Sequence, residues 1–206
     1  KVTVPARILN KAEADMNIYR ENIQIMLQQI NLDTYDLPNA QDVQTLKPED
    51  AARHLRSYWK IPKGPIADLT KLLESKGLII IQAPFESDKI DGRSMQTRGG
   101  NPIIFLNKHS SGDRQRFTLA HELGHIILHL NSPHTFEVDV ESEAFTFAAE
   151  LLMPKSEISP YLSNLKIEKL ADLKRYWKVS MQAIVYWAKR LGAITSNQEK
   201  YLWAQF

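Results

Sequence analysis

Across Ala6 to Leu32, apolar residues recur at Ile8, Ala12, Met16, Tyr19, Ile23, Met26, Leu27 and Ile30, a spacing that predicts an amphipathic α-helix. The next stretch, NLDTYDLPNAQDVQTLKPED, is polar and carries two prolines. It reads as a linker whose end suits a helix start, because Pro48 with Glu49 and Asp50 fits a first turn. A boundary is expected near residue 45. Pro48 to Trp59 and Pro65 to Lys76 predict two helices, the second closed by Gly77 where a left-handed cap is expected.

LIIIQAPF is β-branched and nearly continuous, which suits a buried strand, and PIIFLN after DGRSMQTRGG suits a second. The Gly99-Gly100 pair between them fits a hairpin turn. GDRQRFTLAHELGHIILHL then places Phe117, Ala120, Leu123, Gly124, Ile127, Leu128 and Leu130 at helical spacing. Another helix follows in FEVDVESEAFTFAAELLMP, where Val140, Ala144, Phe147, Ala148 and Leu151 or Leu152 form the apolar stripe among Glu137, Asp139, Glu141, Glu143 and Glu150. The tail LADLKRYWKVSMQAIVYWAKRLGAI reads as two short helices parted at Lys178 to Ser180, with Ser180 as N-cap. That outline resembles a helix-turn-helix. Leu170, Leu173, Trp177, Val179, Ile184, Trp187 and Leu191 nevertheless make a packing face, which favours a lid or core extension over a DNA reader.

With 206 residues, 43% hydrophobic and 24% charged, the chain can bury one large core or two small ones. It has no cysteine, so disulfides and thiolate metal sites are excluded and any metal must be held by His, Asp or Glu. No apolar run approaches the ~18–20 residues of a membrane span, and no secretory signal pattern opens the chain, so a cytoplasmic location is expected. The chain starts KVTVPARIL without an initiator Met, which suggests a preceding part. Net charge is +2, unevenly spread: Lys155 to Phe206 holds nine basic and four acidic residues, a balance of +5, and Lys108 to Pro154 holds three and seven, a balance of −4. A basic tail is most simply a solvated helical surface; contact with an acidic partner or nucleic acid is the sharper alternative.

Against this background, FTLAHELGHIILH carries the chemistry. His121 and His125 are one helical turn apart on one face, so their imidazoles can converge on one ion, the H-E-x-x-H geometry. Glu122 lies about 100° around the helix, placed to reach water on the metal as general base. His129 is about 12 Å along the axis from His121, whereas two ligands of one zinc ion lie no more than about 4 Å apart. It is assigned instead to packing or to hydrogen bonding outside the ligand set. A third ligand must come from the following helix, where Glu141 and Glu143 border the apolar stripe from opposite sides; spacing does not separate them. His54, His109 and His134 read as surface residues, as do the charges Arg114 and Arg116 at the helix start. His134 and Tyr161 are weaker candidates for stabilising an oxyanion, and PIIFLN is the candidate edge strand for an extended substrate.

RFTLAHELGHIILH followed by ESEAFTFAAELLMP resembles the ImmA/IrrE family of zinc metallopeptidases, which pair H-E-x-x-H with E-x-x-A-x-x-F-A and a final L-L-M-P. Glu141, Ala144, Phe147, Ala148 and Leu151 to Pro154 match that second pattern, so the resemblance implies Glu141 as third ligand beside His121 and His125. It extends from about residue 48 to 195, to the longer members in which a repressor-type helix-turn-helix precedes the peptidase. Phe145 departs from the pattern, which often has Asn or Asp there. The expectation is an α+β, zincin-like metallopeptidase whose active-site helix packs on a small β-sheet. Residues 1–45 would be a helical N-terminal segment and linker, 46–160 the core and 161–206 a helical C-terminal extension. The resemblance implies a Zn2+-dependent endopeptidase acting on a protein, such as a helix-turn-helix repressor whose cleavage relieves repression, with DNA contacted only indirectly or through an upstream domain. The alternative is a transcriptional regulator in which the peptidase-like domain is a sensing module joined to a DNA-binding domain. The sequence does not specify an oligomeric state.

Overall fold

The computed structural model describes residues 4–29, 35–43, 45–130 and 139–206. Helices α1 (Ala6–Leu27), α2 (Ala40–Val43), α3 (Pro48–Tyr58) and α4 (Leu69–Ser75) precede strands β1 (Ile79–Ala83), β2 (Gly92–Gln96) and β3 (Pro102–Asn107). Helices α5 (Gly112–Leu128), α6 (Val140–Leu152), α7 (Lys155–Ile158), α8 (Ile167–Trp177), α9 (Met181–Arg190) and α10 (Ser196–Trp203) follow, with a 3-10 turn at Ser159–Tyr161. The fold is α+β, as expected for a zincin-like domain.

Local chemistry sets most helix ends. Pro48 opens α3 with Glu49 and Asp50 in its first turn. The second predicted helix starts later than Pro65, because the Asp68 side chain accepts the Lys71 N–H at 3.0 Å and caps α4 there. Gly77 ends it in the left-handed region at φ 80°. Between α8 and α9, Lys178 turns the chain at φ 58° and Ser180 accepts the Ala183 N–H at 3.1 Å. The closing helix α10 falls outside the predicted elements. Its signal is the capping box of Thr195 and Gln198, in which each residue's side chain accepts the other's backbone N–H.

The sheet order is β1-β3-β2, with β1 parallel and β2 antiparallel to β3. This corrects the reading of PIIFLN as an edge: β3 is the central strand, hydrogen-bonded on both sides and buried along its whole length. Its continuous apolar run has a physical reason, since both faces are covered. Ile104 and Leu106 point into the main core, whereas Ile103 and Phe105 pack with Ala12 and Met16 of α1. Period-two alternation thus separates two cores across one strand. The strand missed from the sequence is β2, GRSMQ, whose half-polar pattern is that of an edge, and the Gly99-Gly100 turn joins β2 to β3 with Gly100 at φ 88°.

The main core joins α3, α4, α5 and α6 to the C-terminal helices: Leu55, Leu123, Phe147, Trp177 and Trp187 are all buried in one cluster. The Trp187 indole N–H donates to the Met153 carbonyl at 3.1 Å, tying α9 to the end of α6. The Arg56 guanidinium, buried at the end of α3, donates to the carbonyls of Leu151, Pro62 and Gly64 at 2.7, 2.6 and 3.0 Å. Among the described residues, no helix is long and apolar enough to cross a membrane.

Candidate metal centre

Helix α5 carries the histidines beneath β2, and α6 crosses it closely. The crossing is tight at Gly124: a Cβ there would lie 3.1 Å from the Phe147 ring and 3.2 Å from the Ala144 backbone. Glycine at this point lets the helices approach to a separation that a methyl group would oppose. Ala144 is one turn beyond Glu141, so the approach brings the first turn of α6 over the histidine face of α5. Asp139 caps that turn by accepting the Ser142 N–H at 3.1 Å.

His121, His125 and Glu141 come together there. His121 Nε2 is 3.1 Å from His125 Nε2 and 3.2 Å from Glu141 Oε2, and His125 Nε2 is 3.6 Å from Glu141 Oε1. One ligand atom from each residue lies within 4.8 Å of the other two. Donors held about 2.1 Å from a tetrahedral ion lie about 3.4 Å apart, so this spacing fits zinc without rearrangement. The donor set, two imidazoles and a carboxylate, suits it as well. Burial holds the His121 pKa below its ordinary value, opposed by Glu141, and pushes His125 down to about 4, with His121 adding to the effect. Both rings are thereby neutral near pH 7, the form that has a lone pair to offer.

Glu122 faces the same cleft from beneath β2. It is buried, and burial raises its pKa to about 7, although the hydrogen bond from Ser94 acts in the opposite direction. The Ser94 hydroxyl donates to Glu122 Oε2 at 2.8 Å. Ser94 is hidden in the sequence because its strand is short and half-polar; the alternation in GRSMQ is the signal that marks it. The backbone of β2 presses close at Gly92, where a Cβ would meet the Phe105 carbonyl oxygen at 2.8 Å and the Thr118 methyl at 2.6 Å. The cleft, about 410 Å³, is lined by Gly92, Arg93, Thr118, His121, Glu122 and Glu141 among others.

The alternative third ligand is directed elsewhere. Glu143 Oε2 is 2.9 Å from His129 Nε2, and His129 Nδ1 is 3.1 Å from His125 Nδ1. Glu150, at the far end of α6, is buried and pairs with Arg53 at 3.2 Å. Phe145 packs between Phe117 and Tyr186, with ring centroids 5.0 and 4.8 Å away, and begins an aromatic groove beside the cleft that also includes Trp203. Tyr161 is exposed on its 3-10 turn and does not line the cleft. His109 is exposed, His54 stacks on Tyr58, and Glu137 and His134 lie outside the described residues. Arg114 is exposed and donates to Asp91, whereas Arg116 is partly buried and donates to the Ile66 carbonyl, so it is not the surface charge expected.

The model of the IrrE N-terminal-like domain, the Peptidase_M78 family, matches residues 73–189. That span is more than half of the chain and contains β1, β2, β3 and every cleft residue named above. No curated protein matches the chain.

Proposed function

The chain belongs to the M78 peptidase family, and from that premise we propose that it is a zinc-dependent endopeptidase in which His121, His125 and Glu141 hold the ion and Glu122 is the general base. The observation that carries this reading is the convergence of the three donor groups at zinc-like spacing beside a buried carboxyl. When bound, the ion supplies Lewis acidity, polarising a carbonyl and acidifying water. Glu122 then takes a proton from the attacking water and returns it to the departing amine nitrogen. In the metal-free chain burial raises its pKa to about 7, which opposes the lowering that a bound cation would impose on the carboxyl. The Ser94 hydroxyl fixes the carboxyl's orientation.

An extended peptide has a place to lie. Among the described residues, β2 pairs on one side only, with β3, and its Gly92 and Arg93 line the cleft. A substrate strand adding to that free edge would run past Glu122. We extend the substrate class to a folded protein, such as a helix-turn-helix repressor, on the family resemblance alone.

The test pairs metal content with cleavage. Mass spectrometry should find about one zinc per wild-type chain, retained in Glu143→Ala and Glu122→Gln and lost in His121→Ala and Glu141→Ala. Zinc-loaded wild type should generate new N-termini in a mixture of unfolded bacterial proteins, and Glu122→Gln should not. A wild type that cannot be loaded refutes the metal site. Metal without Glu122-dependent cleavage favours the sensing-module reading.

A further inference from the structure

We infer that His129 and Glu143 form an orienting relay behind the ligand His125, an inference that rests on the metal-centre reading above. His125 has its two ring nitrogens committed in different directions. Nε2 faces His121 and Glu141, and Nδ1 faces His129 Nδ1 at 3.1 Å. A nitrogen that ligates a metal carries a lone pair, so in a neutral imidazole the proton must sit on the other one. His125 Nδ1–H therefore donates, and His129 Nδ1 accepts. That choice leaves the His129 proton on Nε2, which donates to Glu143 Oε2 at 2.9 Å. Every donor has an acceptor, and the direction of each bond follows from the first.

The placement is built rather than incidental. His129 is one helical turn beyond His125, its side chain leans back toward the N-terminus of α5, and it is buried. Glu143 sits in the capped first turn of α6, two residues after the ligand Glu141, so one short segment supplies both the third ligand and the end of the relay. The relay holds the His125 ring in the tautomer and rotation that direct Nε2 at the ion, and the carboxylate at its end makes that nitrogen a stronger donor. His129 and Glu143 touch neither substrate nor ion; they are positioning residues. This gives a role to the third histidine of the HELGHIILH run, which lies too far along the helix to reach the ion itself.

The experiment uses Co2+ as probe, titrated into chelator-treated protein against a competing indicator, with the visible ligand-field spectrum recorded and the melting temperature of the metal-free protein measured alongside. His129→Phe keeps the bulk of the ring and removes the acceptor; it should weaken Co2+ about 10–100-fold and alter the spectrum. His129→Gln, which can present an acceptor oxygen to His125, should recover part of the affinity. Glu143→Ala should weaken binding in wild type but add nothing to His129→Phe, because Glu143 acts only through His129. Equal affinity and spectrum in His129→Phe and wild type overturn the relay, as does a Glu143→Ala effect of the same size with or without His129. Should His129→Phe not fold, Glu143→Ala with unchanged affinity and spectrum overturns it alone. Failure of wild type to bind Co2+ strikes the metal-centre reading instead.

Discussion

Replacing Glu122 by glutamine removes a buried carboxyl whose ionisation the fold opposes, and metal-free protein should gain stability from the change. The carboxyl sits under β2 with a pKa of about 7, against an ordinary value of 4.5. At ~1.4 kcal/mol per tenfold change in proton affinity, that difference corresponds to about 3 kcal/mol. The sign follows from proton binding. Above about pH 4.5 the unfolded chain has released this proton, while the folded state keeps it until about pH 7. Stability contributed at this site is therefore undiminished below about pH 4.5, falls as the pH rises toward 7, and beyond that carries the whole penalty. Glutamine removes the penalty and retains an oxygen to accept from the Ser94 hydroxyl. Chelator-treated Glu122→Gln should thus exceed wild type in unfolding free energy by about 3 kcal/mol at pH 8, but by only about 1 kcal/mol at pH 5. In a domain of this size the pH 8 difference is a rise in melting temperature of roughly 6–12 °C. Urea unfolding at both pH values measures it, and a variant whose advantage is absent or equal at pH 5 and pH 8 refutes the reasoning. The same substitution should lower turnover of the zinc-loaded enzyme by about 10²–10⁴-fold, so stability and activity would move in opposite directions.

Two further outcomes follow from the packing and the surface charge. Gly124→Val should cost about 1–3 kcal/mol through overpacking against Ala144 and Phe147 and should also weaken zinc binding, because it forces apart the helices that carry His121 and Glu141; chemical unfolding and a chelator competition read the two effects separately, and unchanged zinc affinity would separate the ligand geometry from this contact. Asp113→Asn should destabilise by no more than about 1 kcal/mol, since the carboxyl is held below its ordinary pKa by the Lys174 ammonium, with Ser111 helping. That contribution is present above the unfolded carboxyl value and lost as pH falls through the folded one, so the two proteins should converge in acid melts.

The helical part of the fold was legible where the pattern is local. His121 and His125 converge because four residues make about one turn, and Pro48, Gly77 and Ser180 mark element ends through their own backbone chemistry. Strand β2 was hidden because GRSMQ is short and half-polar, which is what an edge strand over a polar cleft requires, and its loss also hid Ser94. PIIFLN is legible as a strand but not as the central one, since an apolar run records burial and not the number of hydrogen-bonded neighbours.

By itself the sequence determined an α+β chain without thiolate chemistry, with two histidines and a glutamate arranged on one helix and the carboxylates of another following close behind; these are consequences of composition and of the helical period. Spacing leaves Glu141 and Glu143 open and the family resemblance points to Glu141; it is the folded chain that brings Glu141 to the histidines, turns Glu143 to His129, sets β2 and not β3 at the cleft, and buries Glu122 deeply enough to titrate near neutrality. The reason is that spacing along one helix fixes distances within it. The distance between two helices depends on what meets at their crossing, here the bare backbone of Gly124 against Ala144 and Phe147.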